Sequence, residues 1–298
     1  MDPFSGEGEL LNISTAFFTH AYPAVLSFDT SALSADNKRN AQILKYRAQI
    51  ALGQSSTVIS SLKQSQDAAS RSIVALAQNA AGNGQSALET ALSLADSDGE
   101  DSVVQICAGT VLAAHAEYTK AVDLLNKHQG SLEAVALLVQ IHLLQNRTDL
   151  AVKEVAAAKR WAQDSLLINL AESWTHMREG GAEKYQSAYY VFEELASAPG
   201  TTSPTALVGQ AVSEIHLGRL EEAEAALQQA MSMENTDVQA VANSVVLASV
   251  MGKKGDVLEG LLQQLKEKDA GHALLRDLEE KSQLFDAASA KYAPKVAG

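Results

Sequence analysis

Seven histidines and one cysteine are the residues in this chain whose types could carry metal or nucleophilic chemistry. His20, His115, His128, His142, His176, His216 and His272 form no HExxH or other short ligand spacing, so no metal centre is expected. His142 and His176 fall at about the same place in successive repeats, with His115 and His216 nearby, which reads as a tolerated, partly buried repeat position. Cys107 sits in the apolar stretch VVQICAGTVL with no cationic neighbour in sequence, the setting of an inert core thiol. DSDGED (96–101) has the look of a calcium loop, but its Gly stands fourth where an EF-hand needs it sixth. It reads instead as a solvated loop ending in a helix cap at Asp101 or Ser102. GNGQSA (82–87) opens like a nucleotide loop, yet no β-strand precedes it. No catalytic residue, metal ligand or cofactor is expected.

The elements that hold these residues are helices. Proline occurs only at positions 3, 23, 199, 204 and 294, Ala, Leu, Gln and Glu dominate, and no period-2 strand pattern appears. Asp and Glu number 36 against 23 Lys and Arg, a formal net charge of −13. That sign argues against nucleic acid and anionic membrane as partners. The single cysteine precludes an intramolecular disulfide and fits a reducing compartment. MDPFSGEGELL has neither a basic nor an apolar leader region, and no apolar run is long enough to span a bilayer. A cytoplasmic location is expected, with the sequons at Asn12 and Asn146 as chance matches.

The segment HLGRLEEAEAALQQA (216–230) recurs. A small or β-branched residue stands early in a second helix at positions 25, 58, 87, 121, 151, 188, 223 and 257, at spacings of 33, 29, 34, 30, 37, 35 and 34 residues. A helix-turn-helix unit repeating near 34 residues is the tetratricopeptide pattern. The expected fold is all-α: tetratricopeptide-like pairs stacked into a right-handed superhelical solenoid. One such domain would cover 1–298 as about eight to nine helical pairs. A capping helix would span 272–292, with Leu278, Phe285 and Tyr292 on one stripe. GGAEK (180–184) widens one turn, and SAPGTTSP (197–204) is a loop between repeats.

The inner face of such a solenoid is the expected binding surface. Offsets of three, four and three place Leu167, Leu170, Trp174 and Met177 on it in one repeat. Thr205, Val208, Val212 and Ile215 follow in the next, and Val246 is the counterpart of Val212. These positions would grip an apolar or extended segment; a shift of one residue would make the same stripe ordinary core. Their aliphatic character disfavours a chaperone adaptor, which needs a cationic groove for an acidic peptide terminus. A helical-repeat subunit of a prenyltransferase-like enzyme would need catalytic or zinc-binding residues of which no set is evident.

SAYYVFEELA (187–196), VGQAVSEIHLGRLEEAE (208–224) and the ending KYAP (291–294) resemble the epsilon subunit of coatomer. ELLNISTAFFTHAYPAV (9–25) and AESWTHMREGG (171–181) do so too. The resemblance spans about residues 9–294 and thins between 60 and 100. It implies a non-catalytic coat subunit that curls around the carboxyl-terminal domain of the alpha subunit and stabilises it, meeting other coatomer subunits indirectly. It also implies a role in Golgi-to-endoplasmic-reticulum and intra-Golgi transport. On that reading the chain lies peripherally on Golgi membranes and coated vesicles, without inserting into the membrane.

Overall fold

The computed structural model describes residues 6–198, 203–233 and 237–292, so SAPGTTSP and KYAP lie partly outside the described residues. All regular elements described are helices, and they fall into two compact units, the first ending at Ser203 and the second starting at Pro204. Unit 1 contains α1 (Gly6–Phe18), α2 (Tyr22–Ser27), α3 (Ala35–Ala51), α4 (Ser55–Leu62), α5 (Ala68–Ala80) and α6 (Gly84–Ser97). It continues with α7 (Ser102–Ala114), α8 (Tyr118–Leu125), α9 (Leu132–Leu144), α10 (Thr148–Ala162), α11 (Leu166–Glu179) and α12 (Ala182–Ser197). Unit 2 contains α13 (Pro204–His216), α14 (Leu220–Ser232), α15 (Val238–Val250), α16 (Gly255–Lys268) and α17 (Ala273–Ser289). Odd-numbered helices are the first of each pair and even-numbered ones the second, which is a tetratricopeptide-like helical-repeat fold.

Two kinds of helix end alternate along the chain. The turn inside a pair is built from backbone alone. In seven of them the residue after the turn donates its N–H to the carbonyl five positions back, as Ala21 to Ala16, Gln54 to Gln49, Glu117 to Leu112, Arg147 to His142 and Lys253 to Ala248 do at 2.8–2.9 Å. This closure needs a left-handed residue just before the donor. Gly53, Gly82, Gly218 and Gly252 supply it freely, whereas His20 (φ 63°), Ala116 (φ 60°) and Asn146 (φ 57°) occupy it with a side chain. Most turns between pairs carry a side-chain cap instead, those before α3 and α11 being exceptions. Asp67, Asp101, Ser131 and Asp237 each accept from backbone N–H groups at the start of α5, α7, α9 and α15. DSDGED is thus the cap-bearing loop, Asp101 accepting from Val103 and Val104 at 2.8 and 3.1 Å. In GNGQSA, Gly84 lies so close to the His115 ring that a Cβ would come within 2.7 Å of it.

The repeat register holds at seven of its eight positions. Val25, Val58, Ala87, Ala121, Ala151, Ala188 and Ala223 are all 0 % exposed, each early in a second helix where the first helix crosses closely. The eighth departs: Val257 is 45 % exposed. The turn after Gly252 runs one residue longer than the turn after Gly218, so α16 starts later relative to its glycine and Val257 rotates outward.

Unit 1 holds several local cores. One is made wholly by α1–α3 and their connections, around Ile13, Val25, Ala41, Leu44 and Ala48. Another joins α6, α7, α8 and α9 through Ala91, Leu94, Val111, Leu112, Leu125 and Leu138. Helix α7 is buried on every side, from Val104 through Gly109 to Leu112, so its apolar residues show no single stripe. In unit 2, Val241, Ala242 and Leu265 form a core on which α17 rests through Leu274 and Leu275. No residue of α17 is buried.

Candidate partner-binding face

Two of the residues capable of chemistry, Cys107 and His142, are placed where chemistry is suppressed. Cys107 is 0 % exposed, and burial pushes its thiol up to about 11. His142 is 6 % exposed, burial holds its imidazole below the ordinary value, and its Nδ1 has no hydrogen-bond partner. His142 and His176 are each the eleventh residue of their helices, α9 and α11. Among the described residues no group of three His, Cys, Asp or Glu side chains could hold a metal ion.

The expected inner positions divide between the two units. In unit 1 they lie on α11 and are largely occupied by the core. Leu170 is 7 % exposed and packs with Ala188 and Phe192 of α12. Trp174 touches two cores, that of Val139, Ala151, Val155 and Ala171 and that of Leu170, Ala188 and Phe192. Met177 packs on the second of these, and Leu167 is half-buried. A tryptophan wedged between two pairs of helices holds the repeats together, and only part of its surface is left for a partner.

Unit 2 is more open. Val208 is 8 % exposed and belongs to the core, while Val212 and Ile215 are half-buried and Val246 is 40 % exposed. Thr205 is engaged at the helix start, its hydroxyl donating to Asp237 at 3.3 Å. Counting from the first residue of each helix, Val212, Val246 and Lys281 are all ninth, on α13, α15 and α17. Val250 and Phe285 are both thirteenth, and they are 57 % and 72 % exposed. On α17 Leu278 and Leu284 are also open, at 44 % and 57 %. This is a helix meeting its neighbours only through its first turn and presenting Leu278 and Phe285, one heptad apart, to solvent.

Val250, Leu278 and Phe285 are the functional candidates that the inner-face reading passed over. The signal for two of them was visible: the 278/285/292 stripe reads as a cap until one asks what it would cap. A terminal repeat that only closes a solenoid turns a polar face outward. This one turns a phenylalanine outward, and clustered exposed apolar side chains mark interaction sites.

Comparison with known proteins supplies the family. The sequence profile described as coatomer epsilon subunit matches residues 6–293. The chain is similar to the probable coatomer subunit epsilon of Schizosaccharomyces pombe, 32 % identical over 97 % of this chain and 98 % of that protein. It is also similar to coatomer subunit epsilon-1 of Arabidopsis thaliana, 29 % identical over 98 % and 100 %, and to coatomer subunit epsilon of Caenorhabditis elegans, 26 % over 93 % and 96 %. Among solved structures, a tetratricopeptide repeat protein of Parabacteroides merdae superposes with a TM-score of 0.60 at 13 % identity, covering 79 % of this chain and 95 % of that one. The APC/C hetero-tetramer Cut9-Hcn1 gives a TM-score of 0.61 at 11 % identity, covering 92 % and 54 %, and these two likenesses speak to the fold alone. With a profile match over nearly its whole length, on a tetratricopeptide-like fold, the chain belongs to the coatomer epsilon subunit family.

Proposed function

We propose that this chain, a structural coat subunit and not an enzyme, binds the carboxyl-terminal domain of the coatomer alpha subunit and stabilises it within the coat. The observation that carries this reading is the exposed apolar set of unit 2: Val246 and Val250 on α15, Leu278 and Phe285 on α17. Val246 stands at an inner repeat position and Val250, Leu278 and Phe285 stand at positions beside it on their helices, and a partner covering them would remove apolar surface from water. Val212 and Ile215 of α13 belong to the same set within unit 2, with Val208 buried beneath them. Within unit 1, Leu167, Trp174 and Met177 leave uncovered edges at the equivalent positions, with Leu170 buried beneath them.

The proposed setting is the cytoplasmic face of Golgi membranes and coated vesicles, in retrograde and intra-Golgi transport, with other coatomer subunits reached through alpha. No helix among the described residues is long and apolar enough to cross a membrane, so attachment through partners fits. The test is a calorimetric titration of the full chain against the alpha carboxyl-terminal domain. One-to-one binding weakened by Val250→Ser and Phe285→Ala supports the reading. No heat between two folded partners removes it.

A further inference from the structure

Within unit 2 the helices are held very unequally. Helices α13, α14 and α15 bury six, four and seven residues, whereas α16 buries one and α17 none. The cause is written in the second helix of each pair. In α14 the fourth, seventh, eighth and eleventh residues are Ala223, Ala226, Leu227 and Ala230, and all four are buried. The same places on α16 carry Leu258, Leu261, Leu262 and Leu265. Three alanines have become leucines, and that extra volume holds α16 further from the helices it crosses. Leu265 is 0 % exposed, but the other three leucines are only half-buried. A recess of about 170 Å³ lies between α14, α15 and α16, lined by Leu227, Met231, Leu247, Met251, Val257 and Leu261. Side chains facing such a gap lose the contacts that close packing would give them.

Helix α16 is also weak in itself. Gly260 is its sixth residue, and a Cβ added there would meet nothing within 4 Å. No close approach of another segment requires this glycine, so what it brings to the helix is lost propensity. Helix α17 depends on α16 in turn. It rests through Leu274 and Leu275 on the core that Leu265 makes with Val241 and Ala242 of α15.

We infer that α16 and α17 open together from the folded free protein, by local unfolding, while α13, α14 and α15 stay in place. The two helices share the core around Leu265, so releasing α16 removes the seat of α17. Once released they do not persist as helices, because segments of 14 and 17 residues are marginal in water without a surface to pack on. Local openings span from near zero up to the global stability, and a chain end with one buried residue in two helices belongs at the low end. The apolar side chains of α17 therefore stand on a support that comes and goes, and the open state bares the leucine stripe of α16 as well.

The experiment is native-state hydrogen exchange of the full-length protein, read by mass spectrometry at several urea concentrations below the unfolding transition. Amides in the body of α16 and α17 are expected to exchange at least about 100-fold faster than those of α14 and α15, with one shared urea dependence well below that of global unfolding. Gly260→Ala fits the open space and strengthens α16. It should slow exchange roughly two- to fivefold in α16 and by the same factor in α17, where no residue has been changed. Amides of α16 as protected as those of α14 would overturn the opening. An α17 that does not respond to Gly260→Ala would overturn its being shared.

Discussion

Truncating Phe285 to Ala separates a residue needed for binding from one needed for folding. The side chain lies on α17, a helix with no buried residue, and 72 % of Phe285 faces solvent. An aromatic side chain offers roughly 200 Å², so about 140 Å² remains available for a partner. At about 25 cal/mol per Å² the partner-dependent stabilisation is at most ~3.5 kcal/mol. Interface ordering takes back part of it, and a loss of about 2–3 kcal/mol on truncation is expected, a 30- to 150-fold rise in Kd. Folding should hardly notice, with a change within about 0.5 kcal/mol, as for surface substitutions generally. The assay pairs calorimetric titration against the alpha carboxyl-terminal domain with urea denaturation of the free protein. A Kd within threefold of wild type, with both partners folded, would refute the assignment of α17 to the interface. So would a binding loss accompanied by an equal loss of stability.

Other positions should behave differently. Trp174→Ala, which opens a gap between two cores, is expected to lose about 3 kcal/mol of stability in urea denaturation. Selective loss of binding without destabilisation would contradict its placement. Ala116→Gly relieves a left-handed conformation at φ 60° and should stabilise the fold by about 0.5–1 kcal/mol, read from the denaturation midpoint. Asp101→Ala removes the cap of α7 and should cost about 1 kcal/mol. His142 is held neutral by burial, its folded pKa lying below the ordinary 6.5. The unfolded chain therefore binds more protons in the window beneath 6.5, and stability is complete above that pH and lost as pH falls through the folded value. His142→Gln should flatten this acid-side slope in denaturation curves taken between pH 7 and 5.

Which parts of this were legible in the sequence follows from the distance over which each is determined. The repeat is local: small residues at 25, 58, 87, 121, 151, 188 and 223 mark helix crossings, and each is completely buried. Val257 escaped because spacing was counted from Gly252, while burial is set by the start of α16, one residue later than the pattern implies. Leu170 and Val208 share a helical stripe with half-exposed neighbours, and periodicity cannot say which edge of a stripe faces the next helix. Trp174 is ambiguous for a physical reason, since a side chain that large reaches a core and the surface at once. The ion pair between Arg47 of α3 and Glu133 of α9, whose side chains are 13 % and 24 % exposed, was not legible at all. It depends on how far successive repeats curl within unit 1, a sum of small rotations that no single repeat encodes.

That pair also carries a consequence for the order in which the protein is made. Chains emerge from the ribosome at roughly 5–20 residues per second, so Glu133 appears roughly 4–17 s after Arg47, given their separation of 86 positions. During that interval the first three helices can assemble their own core around Ile13, Val25 and Leu44, yet the arginine they will bury has no carboxylate to meet. Until then its charge stays hydrated, while α3 already has α4 and α5 to pack against through Ile50, Val58, Leu62 and Ile73. The pair is therefore a late tie, able to join α3 to α9 only after the repeats between them have been made.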